Sequence, residues 1–95
     1  MPEMLFSIRW PDGTPERCYS PSLVIKDFFA PGESYQLDDF LARSRTALAI
    51  ASERVRAKYG FACTSAMEQL ARIEAAAKTF VDLPGARVSV DAFEE

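Results

Sequence analysis

Between residues 4 and 10 the side chains alternate. Met4, Phe6, Ile8 and Trp10 fall on one side of an extended chain, and Leu5, Ser7 and Arg9 on the other. A period of two marks a strand with one buried face. Pro11-Asp12-Gly13 follows. It reads as a turn, because proline presets φ and glycine tolerates positive φ. A second, weaker strand is predicted over about residues 15–19, closing a β-hairpin. Two strands alone are marginal in water, so the apolar face requires something to lie on.

The period then lengthens. Ser20-Pro21-Ser22 opens a short helix, with Ser20 as N-cap, Pro21 in the first helical position, and Leu23, Val24, Asp27 and Phe28 at helical spacing. Ala30-Pro31-Gly32 ends it, and Ser34-Tyr35-Gln36-Leu37 reads as an extended link or a short strand. Asp38 is expected to cap the longest element, a helix over 39–59 whose stripe is Leu41, Ser44, Leu48, Ala51 and Val55. Gly60 stands where a helix C-terminus favours a left-handed residue. Ser65-Ala66-Met67-Glu68 has the spacing of a capping box. It opens a second long helix, predicted to reach about Phe80, with Ala66, Leu70, Ile73, Ala77 and Phe80 on one stripe. The short connection between the two helices implies an antiparallel helical hairpin. Leu83-Pro84-Gly85 breaks the chain, and residues 87–91 alternate weakly as a third strand. The predicted fold is α+β, one domain over 1–95. A three-stranded antiparallel sheet in the order β-β-α-α-α-β carries the helical hairpin and the short helix on one face.

Composition narrows the function classes. Hydrophobic residues are 48% and charged residues 26% of the 95, the mix of a folded globule. The net charge of -3 argues against a nucleic-acid binder, which needs a basic face. The sequence has no His, which removes the usual Ser-His, Cys-His and His-metal sites. The four glycines are isolated, so there is no phosphate-binding loop, and the one adjacent acidic pair, Asp38-Asp39, is explained by capping. No cofactor and no metal site is indicated, and catalysis is not expected. No secretory leader and no membrane-spanning run is visible, so a cytoplasmic protein with reduced thiols is the expectation.

Two features carry candidate chemistry. Residues 43–58 hold five cations against Glu53, a net +4 that leaves -7 for the rest of the chain. Arg43, Arg45, Arg54 and Arg56 are therefore the candidate interface for an acidic partner. The alternative is a solvated helix face with its cations toward the C-terminal dipole. Cys63 precedes a helix start, which favours a thiolate, and is the candidate reactive thiol, with Cys18 as a second. Without a His base or CxxC spacing, both also fit small buried hydrophobes. The aromatic supply exceeds what one small core needs, which suggests some rings at an interface. The long helix and the sheet edge both offer surfaces for a homo-oligomer.

Three stretches together carry a family resemblance. They are Arg9-Trp10-Pro11-Asp12-Gly13 with Cys18-Tyr19-Ser20-Pro21-Ser22, then residues 49–63 (AIASERVRAKYGFAC), then Ala66-Met67-Glu68-Gln69-Leu70. The chain resembles the small bacterial nitrogen starvation response proteins encoded in a gene cluster with a nitrilase. The resemblance implies a cytosolic role in nitrogen acquisition, through nitriles or cyanide, and supplies no catalytic residue. The resulting reading is a non-catalytic accessory protein that binds a larger enzyme of its pathway, the nitrilase among them, with neither nucleic acid nor membrane as partner. The alternatives are a thiol-dependent catalyst or sensor centred on Cys63, and a small-metabolite binding protein.

Overall fold

The structure, a computed structural model, describes residues 3–61 and 64–95. Strands β1 (Met4–Arg9) and β2 (Pro15–Ser20) form the hairpin read from the alternation, paired from Met4↔Ser20 to Arg9↔Pro15. The turn between them is held by Gly13 N–H donating to the Trp10 carbonyl at 2.8 Å, with Gly13 at φ +91°. Asp12 Oδ1 accepts from Thr14 N at 3.0 Å, and this bond holds the Asp12 carboxyl below its ordinary pKa.

Among the described residues the sheet has four strands rather than the expected three. The segment read as a link or short strand is β3 (Ser34–Gln36), which pairs antiparallel with β4 (Arg87–Glu94). The order is β2-β1-β4-β3. β3 forms because its backbone groups find the open edge of β4, and Gly32 N and Leu37 N extend the ladder to Val90 O and Ala86 O. β4 also runs farther than the predicted 87–91, and the reason is a bulge. Ile8 opposes Val90 and Ser7 opposes Ala92, so no residue of β1 stands opposite Asp91, whose side chain pairs with Arg9. The extra residue resets the alternation and turns Phe93 back toward the core beside Phe6.

The short helix is a 3₁₀ turn over Leu23–Asp27, and its N-cap is Ser22 rather than Ser20. Ser22 Oγ accepts from Val24 N, while buried Ser20 serves the preceding bend by donating to the Ser22 carbonyl at 2.8 Å. Helix α1 spans Leu37–Tyr59 and begins at Gln36 without a side-chain cap. Asp38 and Asp39 lie inside its first turn, where their charge favours the positive end of the dipole. Gly60 ends α1 at φ +85°, its N–H donating to Arg56 O at 2.8 Å. Helix α2 spans Thr64–Ala77, so Ser65 lies within it and the cap position falls outside the described residues. A 3₁₀ turn over Lys78–Phe80 completes the predicted length.

Both helices and the 3₁₀ turn of residues 23–27 cover one face of the sheet. Met4, Phe6, Ile8, Cys18, Val88 and Val90 point into that interface from the strands, and Phe40, Ala47, Leu48, Leu70 and Ile73 meet them from the helices. Six rings run through it. Phe6 stacks at 6.3 Å on Phe29, which meets Tyr35 and Phe40. Trp10 stands edge-on to Phe40 at 5.8 Å and stacks on Phe80 at 5.9 Å. The indole N–H is satisfied by Glu16 Oε1 at 2.8 Å. No helix among the described residues is long and apolar enough to cross a membrane.

Phe40 is fully buried and links the two halves of the ring series, meeting Phe29 on one side and Trp10 on the other. Phe40→Ala should therefore cost about 3–5 kcal/mol in urea unfolding, the range for a buried aromatic truncation. A loss below about 1 kcal/mol would mean the rings are not central to stability.

Candidate functional site

Successive residues of an α-helix turn by about 100°. Arg43 and Arg54, three turns apart, therefore share one side of α1, and Arg45 and Arg56 lie nearly opposite. The four candidate arginines do not make one strip. Arg43 donates from Nε to Asp39 Oδ2 at 3.0 Å and from Nη1 to the Phe28 carbonyl at 2.6 Å, with its guanidinium 4.9 Å above the Tyr35 ring. Arg54 Nη1 donates to Ser22 Oγ at 2.9 Å. These two side chains fasten opposite ends of the 22–28 turn to α1. Arg45 reaches Glu74 on α2 at 3.5 Å, and Arg56 pairs with Glu53 on its own helix. The Arg56 guanidinium holds the Glu53 carboxyl below its ordinary pKa, and Glu53 raises that of Arg56.

The candidate thiol Cys63 lies outside the described residues. Cys18, opposite Phe6 on β2, is fully buried. Burial, seconded by the charge of Glu16, pushes its thiol far above the ordinary range, so it is a neutral core side chain and not a nucleophile. Among the described residues no three His, Cys, Asp or Glu side chains gather as a metal site would require.

Three open features stand out among the described residues. The first is the tip of the helical hairpin, where Tyr59, Phe61 and Met67 are 51%, 68% and 46% exposed, with Lys58 Nζ 5.6 Å above the Tyr59 ring. The second is an apolar groove of about 450 Å³ between the start of α1 and the 80–86 segment, lined by Leu37, Leu41, Phe80, Val81 and Leu83. The third is a polar notch of about 270 Å³ between α2 and β2, lined by Arg17, Tyr19, Ser65, Glu68, Gln69 and Arg72.

The notch contains a residue that the sequence reading does not single out. Gln69 is only 3% exposed. Its Oε1 accepts from the Tyr19 backbone N–H at 3.0 Å, which fixes the orientation of the amide. Its Nε2 is buried and has no hydrogen-bond partner among the described residues, as is also true of Ser44 Oγ on α1. A buried donor left unpaired costs about 1–3 kcal/mol. The signal was a polar residue on an apolar stripe, three positions after Ala66 and four before Ile73.

Two expectations follow from these contacts. Arg43→Ala and Arg54→Ala should each lower unfolding stability by about 1–2 kcal/mol, because each strips a charge-assisted bond from the 22–28 turn. Arg45→Ala and Arg56→Ala, which lose only exposed ion pairs, should cost about 0.5 kcal/mol or less. Equal losses at all four positions in urea titrations would contradict the division. For Cys18, both folded and unfolded chains hold the proton below about pH 9, and only the unfolded chain releases it above that. Its contribution to stability should therefore fall by about 1.4 kcal/mol per pH unit above that point. Urea midpoints of the natural protein and Cys18→Ala between pH 8 and 10 isolate the effect, since the packing loss of the variant is constant with pH.

The family model for nitrogen starvation-induced protein NitG matches residues 5–93. No curated protein and no solved structure matches the chain. The matched span runs from the first strand of the hairpin to the last strand of the sheet, and the chain accordingly belongs to the NitG family of nitrogen starvation-induced proteins.

Proposed function

We propose that this family member is a non-catalytic accessory protein of nitrogen starvation that binds a larger enzyme of its pathway, with the nitrilase of nitrile or cyanide assimilation as the first candidate. The observation that carries the reading is the cluster of Tyr59, Phe61 and Met67 at the hairpin tip. Large apolar side chains on a solvent-facing surface bury favourably against a partner, and aromatics and Met are enriched at interface centres. Lys58, whose ammonium lies over the Tyr59 ring, supplies a cation beside the tip for an acidic partner surface. The earlier interface of Arg43, Arg45, Arg54 and Arg56 is narrowed accordingly: Arg43 and Arg54 are occupied in holding the fold.

The purified protein should bind the purified nitrilase in isothermal titration with a Kd in the micromolar range or tighter, about -8 kcal/mol. Phe61→Asp and Met67→Asp should each weaken that binding about tenfold or more with the melting temperature unchanged, since neither side chain is buried. Unaltered affinity in both variants would remove the tip from the interface. No binding to the nitrilase would remove it as the partner.

A further inference from the structure

We propose that the notch between α2 and the edge of β2 binds a free α-amino acid as its zwitterion. Ser65, Glu68, Gln69 and Arg72 follow one another at spacings of three, one and three, so they line one face of α2. Arg17 and Tyr19 face them from β2. The charges on this wall are unevenly satisfied. Arg17 is paired with Glu94. Arg72 and Glu68 make no hydrogen bond or ion pair with any described residue, nor with each other, although they stand one helical turn apart in the order that usually pairs. Between them sits Gln69, whose Oε1 is fixed on Tyr19 and whose Nε2 is a buried donor without a partner.

An uncompensated cation, an uncompensated anion and a fixed neutral donor around one notch match an α-amino acid. Its carboxylate lies against the Arg72 guanidinium, and a small shift of the Gln69 side chain, whose Nε2 is closed to solvent in the free protein, brings that donor to one oxygen. Its ammonium donates to Glu68. A purely anionic ligand is disfavoured because Glu68 faces the same space. The volume of about 270 Å³ equals about nine waters, room for a molecule the size of L-glutamate. Its lining residues are distinct from Tyr59, Phe61 and Met67 of the hairpin tip.

The chain contains two glutamines and no asparagine, so its side-chain carboxamides are Gln36 and Gln69 alone. In a ¹⁵N-labelled sample of the full chain, titration with L-glutamate, L-glutamine and L-alanine should move the Gln69 NH₂ pair saturably. For at least one of the three the midpoint should be about 1 mM or tighter, while the Gln36 pair stays still. The deaminated analogue of the binding amino acid (glutarate where L-glutamate binds) should be at least about tenfold weaker. Arg72→Met should abolish the response at unchanged melting temperature, since Arg72 is exposed. Glu68→Gln should weaken the amino acid and not its deaminated analogue. Absence of a saturable Gln69 shift with all three amino acids overturns the proposal. Equal binding of the deaminated analogue overturns it as well, and so does an equal shift produced by sodium sulfate.

Discussion

The structure depends on covering one face of one small sheet. A hairpin with Met4, Phe6, Ile8 and Trp10 on the same side cannot stand in water, and every later element answers that exposure. The six rings from Phe6 to Phe80 make the covering specific. They join a strand, the hairpin turn, the segment after the first 3₁₀ turn, β3, α1 and the 3₁₀ turn that follows α2 in one contact series. Trp10 contributes doubly. Its ring is apolar contact for two helical segments, and its N–H is held by a carboxylate of the neighbouring strand, so its orientation is set from both sides.

The elements written into the sequence are those set by local rules. Alternation over 4–10, the Pro11-Asp12-Gly13 turn, the two helical stripes and Gly60 all appear where the pattern places them. What the pattern does not contain is set by contacts distant in sequence. β3 exists because β4 lies beside it. The reach of β4 depends on a bulge at Asp91 that the weak alternation of residues 87–91 conceals. The cap at Ser22 rather than Ser20 reflects a competition between two neighbouring serines, one of which is spent on the bend. Gln69 shows the same limit. Its spacing is legible, but its function at the edge of β2 needs the strand in place.

The arginines of α1 show why net charge along a sequence is a poor guide to a surface. A net +4 over residues 43–58 suggests a uniform basic strip, yet helical geometry sends its members to opposite sides. Two are used as long tethers, their guanidinium groups satisfying a carbonyl and a serine of the turn that caps one end of the core. The charge of the remaining pair is largely answered by Glu74 and Glu53. The uncompensated groups lie elsewhere, on α2, where the sequence shows no run of like charge at all.

The Gln69 bond to Tyr19 also bears on how the sheet meets other copies of itself. In an antiparallel pair, alternate residues of an edge strand turn their N–H groups outward, and on β2 the bond to Tyr19 identifies them as residues 15, 17 and 19. Pro15 has no N–H to give, and that of Tyr19 is taken by the glutamine. A second chain approaching this edge finds the backbone donor of Arg17 alone. At the other edge it finds a β3 of three residues. A sheet so finished at both sides offers little template for the strand-to-strand aggregation that threatens proteins with open sheet edges.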